Sequence, residues 1–349
     1  MKIVIVLALL LGSSWGADDF KIKDIGMEKE HRFPYFVAKD RSKEWVADSI
    51  NIYLHLSYLE LLPNTYKRDP FEVINTDKVM PSLMVYSFEV YQNSKFISVD
   101  MMMEGCGAYC EEFSVHNTFL AQNGKFVSSK SLFSKRGLQQ FDNLNHQNIQ
   151  KTIKEFLKKD EVDREQTELY QECLKRDYKG KVDSDTEFSI YKNRLFIYSG
   201  RCSNHAMRAL DDIGDFSNSY SFDEIKDYLS PIGKYLLDRD QKILKSIDMI
   251  EGVYRGEIAH KYPIKLFIQS IYDDGSLSAF YWYEKYKKPL DLKGTYQHGE
   301  IKLYLKEHSE QEKRWIKVES FIGRLKDGKI KGVWKNIRNG KEFDLSLGR

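Results

Sequence analysis

The chain has 349 residues, with 54 Lys and Arg against 52 Asp and Glu, so it lacks the basic excess that nucleic-acid binding draws on. Its 22 Tyr, 20 Phe and 5 Trp suit a β-rich fold, and the length accommodates two domains. The basic, aromatic segments KYPIKLF and YEKYKKPL read as the solvated face of a sheet.

The chain opens with Lys2, an apolar run from Ile3 to Leu11, small residues and then Asp18-Asp19. That is the layout of a signal peptide over residues 1–16, with Ser14 and Gly16 setting cleavage after Gly16. The run is shorter than the ~20 apolar residues a spanning helix needs, and no second such run follows, so no stable membrane span is expected after cleavage. No cysteine stands at the cleavage point to carry a lipid. Gly12-Ser13-Ser14-Trp15-Gly16 matches the nucleophile-elbow pattern by letter but lacks the strand and helix that pattern requires.

Residues 18–245 read as an α+β domain. After a strand at FPYFV, Ser42 to Leu62 carries Trp45, Val46, Ile50, Ile52, Leu56 and Leu59 at helical spacing, ended by Pro63-Asn64, with His55 placed on the helix surface. Strand-like segments follow from Leu83, Phe96, Phe113 and Lys125, the last two joined at Asn123-Gly124 as a type I′ hairpin. Leu138 to Lys159 returns to helical spacing, and 160–186 continues the helix or forms an excursion around Cys173. FSIYKNRLFIYSG gives two short strands around Lys192-Asn193, and short helices broken at Pro231 close the domain.

Residues 250–349 read as an all-β domain of eight up-and-down strands, beginning with GVYRGEI and ending with KEFDLSL. Asp273-Asp274-Gly275, His298-Gly299, Asp327-Gly328 and Asn339-Gly340 stand between runs as hairpin turns. Gly252-Val253-Tyr254, Gly294-Thr295-Tyr296 and Gly332-Val333-Trp334 repeat a Gly-x-aromatic unit suited to strand bends. Eight strands make a barrel, or a tightly curled sheet, filled by its own side chains or holding one small ligand.

The cysteines Cys106, Cys110, Cys173 and Cys202 all fall in the first domain, and an even number in an exported chain reads as two disulfides. The competing reading is zinc held by Cys106, Cys110, Cys202 and His205, which an oxidising compartment disfavours; no metal or other cofactor is expected. The acidic pairs Glu111-Glu112, Asp211-Asp212 and Asp273-Asp274 are not taken as catalytic. Strand neighbours face opposite ways, and acidic pairs in turns are turn formers. His116, His146 and His205 read as surface or satisfied core residues, and no metalloprotease, Walker or dinucleotide motif occurs in the mature chain.

GCGAY followed by FSVHNTFLAQNGKFVSSKSLF, then FSIYKNRLFIY and SNSYSFDEIKDYL, resembles a family of bacterial extracellular domains found in lysozyme-sensing anti-sigma factors and beside peptidoglycan deacetylase domains. The resemblance spans residues 30–235, and Tyr109 stands where the family often has His. It implies a sheet-and-helix domain with a binding role in the envelope, and it places Cys106 or Cys110 near enough to bridge Cys202.

The expected protein is therefore periplasmic or secreted, non-enzymatic, and binds a lysozyme-like muramidase or peptidoglycan. Recognition is expected on the loops after Tyr109 and around Arg201 to Asp212, with Arg201, His205 and Arg208 as contacts. Two alternatives are a small-ligand carrier lined by Tyr254, Tyr281, Trp282 and Trp334, and a cell-wall hydrolase marked by carboxylates converging on a cleft from distant positions.

Overall fold

A computed structural model describes residues 19–26, 31–67, 69–72, 83–106, 110–175, 182, 186–240, 250–272, 274–309 and 313–348, with Leu83 and His205 described by backbone alone. The expected signal peptide lies outside the described residues. The fold is α+β: small antiparallel sheets with helices, then a closed eight-stranded antiparallel barrel. No described helix is long and apolar enough to cross a membrane.

The hairpin of β1 (Phe20–Asp24) and β2 (Pro34–Ala38) packs on helix α1 (Glu44–Leu54). Asn51, buried in α1, acts as an extra strand edge. Its Oδ1 accepts from the Phe36 N–H (2.8 Å) and its Nδ2 donates to the Phe36 carbonyl (2.9 Å). The helix continues as a π turn, His55–Leu59. His55 is not on the surface as expected but fully buried, its Nδ1 2.8 Å from the Asn51 carbonyl and its Nε2 2.8 Å from the Tyr66 hydroxyl. Both polar atoms are satisfied inside, which makes burial of the ring tolerable. Trp45, expected in the buried stripe, is 47% exposed.

Strands β3 (Leu83–Gln92), β4 (Phe96–Cys106) and β5 (Cys110–Leu120) form a three-stranded sheet. Ile97, Val99, Met101 and Phe119 turn one face of it toward Val46, Ile50 and Leu54 of α1. The turn at Asn123-Gly124 is longer than a two-residue hairpin. Leu120 N–H donates to the Lys125 carbonyl (2.8 Å), and of the central pair only Gly124 takes positive φ, at 63°. The segment from Lys125, expected as a fourth strand, makes only a bridge between Phe126 and Phe119 before a 3-10 turn at Ser129–Leu132. Leu132 there is drawn into a second core with Phe141, Leu195 and Ile197.

Helix α2 (Lys135–Phe156) is capped by Ser134, whose Oγ accepts from the Gly137 N–H (3.0 Å), and buries Phe141, Ile149, Ile153 and Phe156. Helix α3 (Arg164–Lys175) carries Cys173. Strands β6 (Phe188–Tyr191), β7 (Arg194–Ser199) and β8 (Phe216–Ser221) form another three-stranded sheet. Lys192 and Asn193 turn between β6 and β7 at φ of 48° and 61°. Pro231 begins the short helix Pro231–Leu237, at a position where its missing N–H costs nothing.

The barrel strands are β9 (Gly252–Ile258), β10 (Tyr262–Ile271), β11 (Ser276–Tyr283), β12 (Leu290–Gln297), β13 (Glu300–Ser309), β14 (Arg314–Lys326), β15 (Lys329–Asn336) and β16 (Glu342–Gly348). Each pairs with its neighbour in sequence, and β16 closes on β9. His298-Gly299 and Asp327-Gly328 adopt positive φ at both positions, the geometry that matches strand twist. Gly332 faces Gly323 across the β14–β15 pair, and a Cβ on Gly332 would sit 2.1 Å from the Ile322 carbonyl oxygen, so the sheet curls more tightly there than a side chain allows. Tyr254, Tyr281, Leu292, Leu303 and Phe321 are among the side chains that fill the interior.

The two regions meet along α1. Ile52, Leu56 and Leu62 pack against Val253, Phe267 and Trp282 on the outer face of the barrel.

Candidate functional site

The register of the β3-β4-β5 sheet puts Glu89, Asp100 and His116 in one row across three strands. Their sequence neighbours Val99, Met101 and Val115 face the core, so alternation turns the row toward the other side. His116 Nδ1 lies 2.9 Å from Asp100 Oδ1, and its ring stacks on Tyr198 of β7 at 3.7 Å between centroids and 4° between planes. The backbone N–H of His116 donates to Glu187 Oε2 (3.1 Å), so a carboxylate from the neighbouring segment covers an exposed edge group of β5. Burial pushes the Glu187 carboxyl up to about 7, and nearby His116 only partly offsets this.

Between this row and β6–β7 lies a cleft of about 630 Å³. Glu89, Tyr91 and Asp100 line one side; Ser189, Tyr191 and Tyr198 line the other. Tyr91 and Tyr191 meet edge to face at 5.7 Å and are 37% and 47% exposed. Ser189 Oγ lies 3.0 Å from the Tyr198 hydroxyl. The lining carboxylates Glu89 and Asp100 come from adjacent strands, and only the aromatic rings meet from segments nearly 100 residues apart in sequence.

A charged strip leads from the cleft to the loops expected to carry recognition. Asp215 lies close enough to Glu187 to raise its pKa further, and it is gripped by Arg201 through two hydrogen bonds of 3.1 and 2.6 Å. Arg208 pairs with Glu111 at the start of β5, so the Arg201–Asp212 loop is joined to the β4–β5 hairpin. His205 opens the 3-10 turn His205–Leu210, and Tyr109 lies outside the described residues. Asp211 is a structural acceptor: it takes hydrogen bonds from Tyr170 Oη (2.7 Å) and from the N–H groups of Ser203 and Gly214 (3.0 Å each). Asp212 accepts from Gln166 Nε2 (2.7 Å), and Asp274 caps its own turn through the Ser276 N–H (2.7 Å). Asp273 lies outside the described residues.

The disulfides are Cys106–Cys110 and Cys173–Cys202. The bridge to Cys202 implied for Cys106 or Cys110 is therefore corrected. Cys106 and Cys110 are direct cross-strand partners, and Cys173 of α3 meets the loop after β7 with 5.5 Å between Cα atoms. This pairing leaves no thiolate for the zinc set considered above. Two disulfides suit an oxidising compartment.

The four aromatic residues proposed around a barrel ligand do not share one face. Tyr254, Tyr281 and Trp334 belong to the packed interior, whereas Trp282 points outward against α1, because adjacent strand residues face opposite ways. Sequence reasoning missed Glu319, which accepts from Tyr281 Oη and from Trp334 Nε1 (3.1 Å) inside the barrel. It also missed Asp100, Glu187 and Tyr198, and only the alternation of polar residues along β4 and β5 hinted at that face.

No protein-family model matches the sequence, and no curated protein matches it. Among solved structures, the chain is similar to a member of the DUF3298 family from Bacteroides fragilis, at 12% identity and a TM-score of 0.40, covering 62% of this chain and 94% of that one. It also aligns with a protein of unknown function from the DUF3598 family of Nostoc punctiforme, at 11% identity and a TM-score of 0.15, covering 76% of this chain and 86% of that one. Likenesses this low carry no argument about function.

Proposed function

We propose that the protein is an exported binding module of the cell envelope, without catalytic activity, that takes a peptidoglycan-related glycan in the cleft between its two three-stranded sheets. The carrying observation is the pairing of tyrosine faces at Tyr91, Tyr191 and Tyr198 with acceptor carboxylates at Glu89 and Asp100. Sugar rings offer apolar C–H faces to aromatic rings and donate hydroxyl protons to carboxylates, so this lining fits them. The signal-peptide layout and the two disulfides support a periplasmic or secreted location. The charged strip from Arg201 to Arg208 offers the same region a protein contact, for which a lysozyme-like muramidase is the natural candidate.

Calorimetry with soluble peptidoglycan fragments tests this reading, with a muramidase titrated in parallel. Tyr191→Ala and Asp100→Asn are each expected to weaken glycan binding by about five- to tenfold. Binding to neither fragments nor muramidase would remove the proposal. The hydrolase reading draws on one specific observation, a Glu187 carboxyl held near 7 beside Asp100 and His116, a combination suited to proton transfer. Release of new reducing ends by the protein, lost in Glu187→Gln, would decide for it.

A further inference from the structure

At the seam between the two regions, α1 and the turn after it meet the outer wall of the barrel around a second cavity, of about 170 Å³. Its apolar floor is Ile52, Leu62 and Trp282, all buried. Its rim carries four charges of two signs: Asp48 of α1 and Glu284 after β11 are carboxylates, while Lys265 of β10 and Lys287 are ammonium groups. Among the described residues, none of the four is in an ion pair. Asn64 and Thr65 complete the polar rim. Asn64, at φ 60°, and Lys287, at φ 49°, stand in tight turns, the latter closed by the Lys287 N–H on the Tyr283 carbonyl (2.9 Å).

We propose that this cavity binds a small zwitterion with an apolar side chain, a free α-amino acid. The volume, about that of six waters in the liquid, matches a single amino acid and is too small for a dipeptide with two apolar side chains. A purely anionic or purely cationic ligand would be repelled by half the rim, and a neutral one would leave all four charges unused. A zwitterion pairs its carboxylate with Lys265 or Lys287 and its ammonium with Asp48 or Glu284, while its side chain covers Trp282. Seams between domains are favoured positions for such pockets. Because the walls come from both regions, an occupant would fasten α1 to the barrel.

The test is calorimetry and thermal melting of the purified full chain with free leucine and free phenylalanine. The N-acetyl and carboxamide derivatives of each, which remove one charge at a time, are the controls. The expected result is saturable binding of the zwitterions at millimolar concentration or below, at least about fivefold weaker for either derivative, and a similar loss in Lys287→Gln and in Glu284→Gln. Both substituted side chains are exposed, so these variants are expected to keep the parent circular dichroism. Absence of binding by every zwitterion would overturn the proposal. Equal binding of the charge-blocked derivatives, or equal affinity in both variants, would also overturn it. None of these outcomes bears on the glycan cleft.

Discussion

The barrel and the region before it end their β-sheets in opposite ways. In the barrel, β16 pairs with β9, so every strand has two neighbours and no edge is left to protect. It achieves this without a cysteine. The three sheets before it have two or three strands each, and their edges are covered piecemeal by Asn51 on Phe36, by Glu187 on His116 and by packed helices, with two disulfides added. The difference teaches where function can be housed. A closed sheet spends its polar groups on itself, whereas open edges recruit carboxylates and leave clefts between sheets.

Reduction should break the comparison most visibly. Opening Cys173–Cys202, whose separation is 29 residues, is expected to cost about 3–4 kcal/mol on a chain-entropy basis, and opening Cys106–Cys110, with a separation of 4, about 2 kcal/mol. Hydrogen exchange with and without reductant should show protection lost in 83–240 and retained in 252–348. Simultaneous loss in both would show that the seam at Ile52, Leu62 and Trp282 couples the regions into one unit.

Acid should act on the first region next. Burial lowers the His55 pKa from 6.5 to about 4, so the unfolded chain binds a proton there that the folded one refuses. The His55 contribution to stability should therefore fall as pH drops from 6.5 toward 4, by up to roughly 3 kcal/mol. Glu187 has the opposite sign. Its folded pKa is raised from 4.5 to about 7, so the folded state keeps a proton the unfolded state gives up, and stability falls as pH rises through that window. Urea midpoints across pH 4 to 8 should steepen on the acid side in Glu187→Gln. An unchanged profile would show that Glu187 does not titrate as described.

Two smaller effects belong to the barrel. Gly332→Ala should cost about 1–3 kcal/mol by forcing β14 and β15 apart, read as a lower denaturation midpoint confined to 252–348. Tyr281→Phe should cost about 1 kcal/mol by removing one donor to Glu319 while Trp334 remains. An equal fall in the first region for either variant would again point to coupling through the seam.

The barrel was the more legible half because its information is local. Each hairpin announces itself by residues that tolerate positive φ, as at His298-Gly299 and Asp327-Gly328, and eight runs of alternating residues fix the count. In the first region α2 and the Lys192-Asn193 turn were legible for the same reason. His55 was misplaced because its burial depends on Tyr66 and the Asn51 carbonyl, partners its own helical spacing does not specify. The Lys125 segment has strand composition, but Leu132 and Phe133 are claimed by a different core. The cleft was least legible: Asp100, His116, Glu187 and Tyr198 lie far apart in sequence and meet only through sheet register and the approach of two sheets. Of the expected recognition residues, Arg201 is paired with Asp215 and Arg208 with Glu111.

The closing pair of the barrel has a topological consequence. Gly348 lies opposite Arg255, so the chain leaves the barrel beside the strand by which it enters. A domain with its ends side by side can be inserted into a loop of another protein, or re-cut at a different turn, without rerouting a strand. The eight strands thus form a portable ring, held against the preceding region by a patch of apolar side chains on its outer wall.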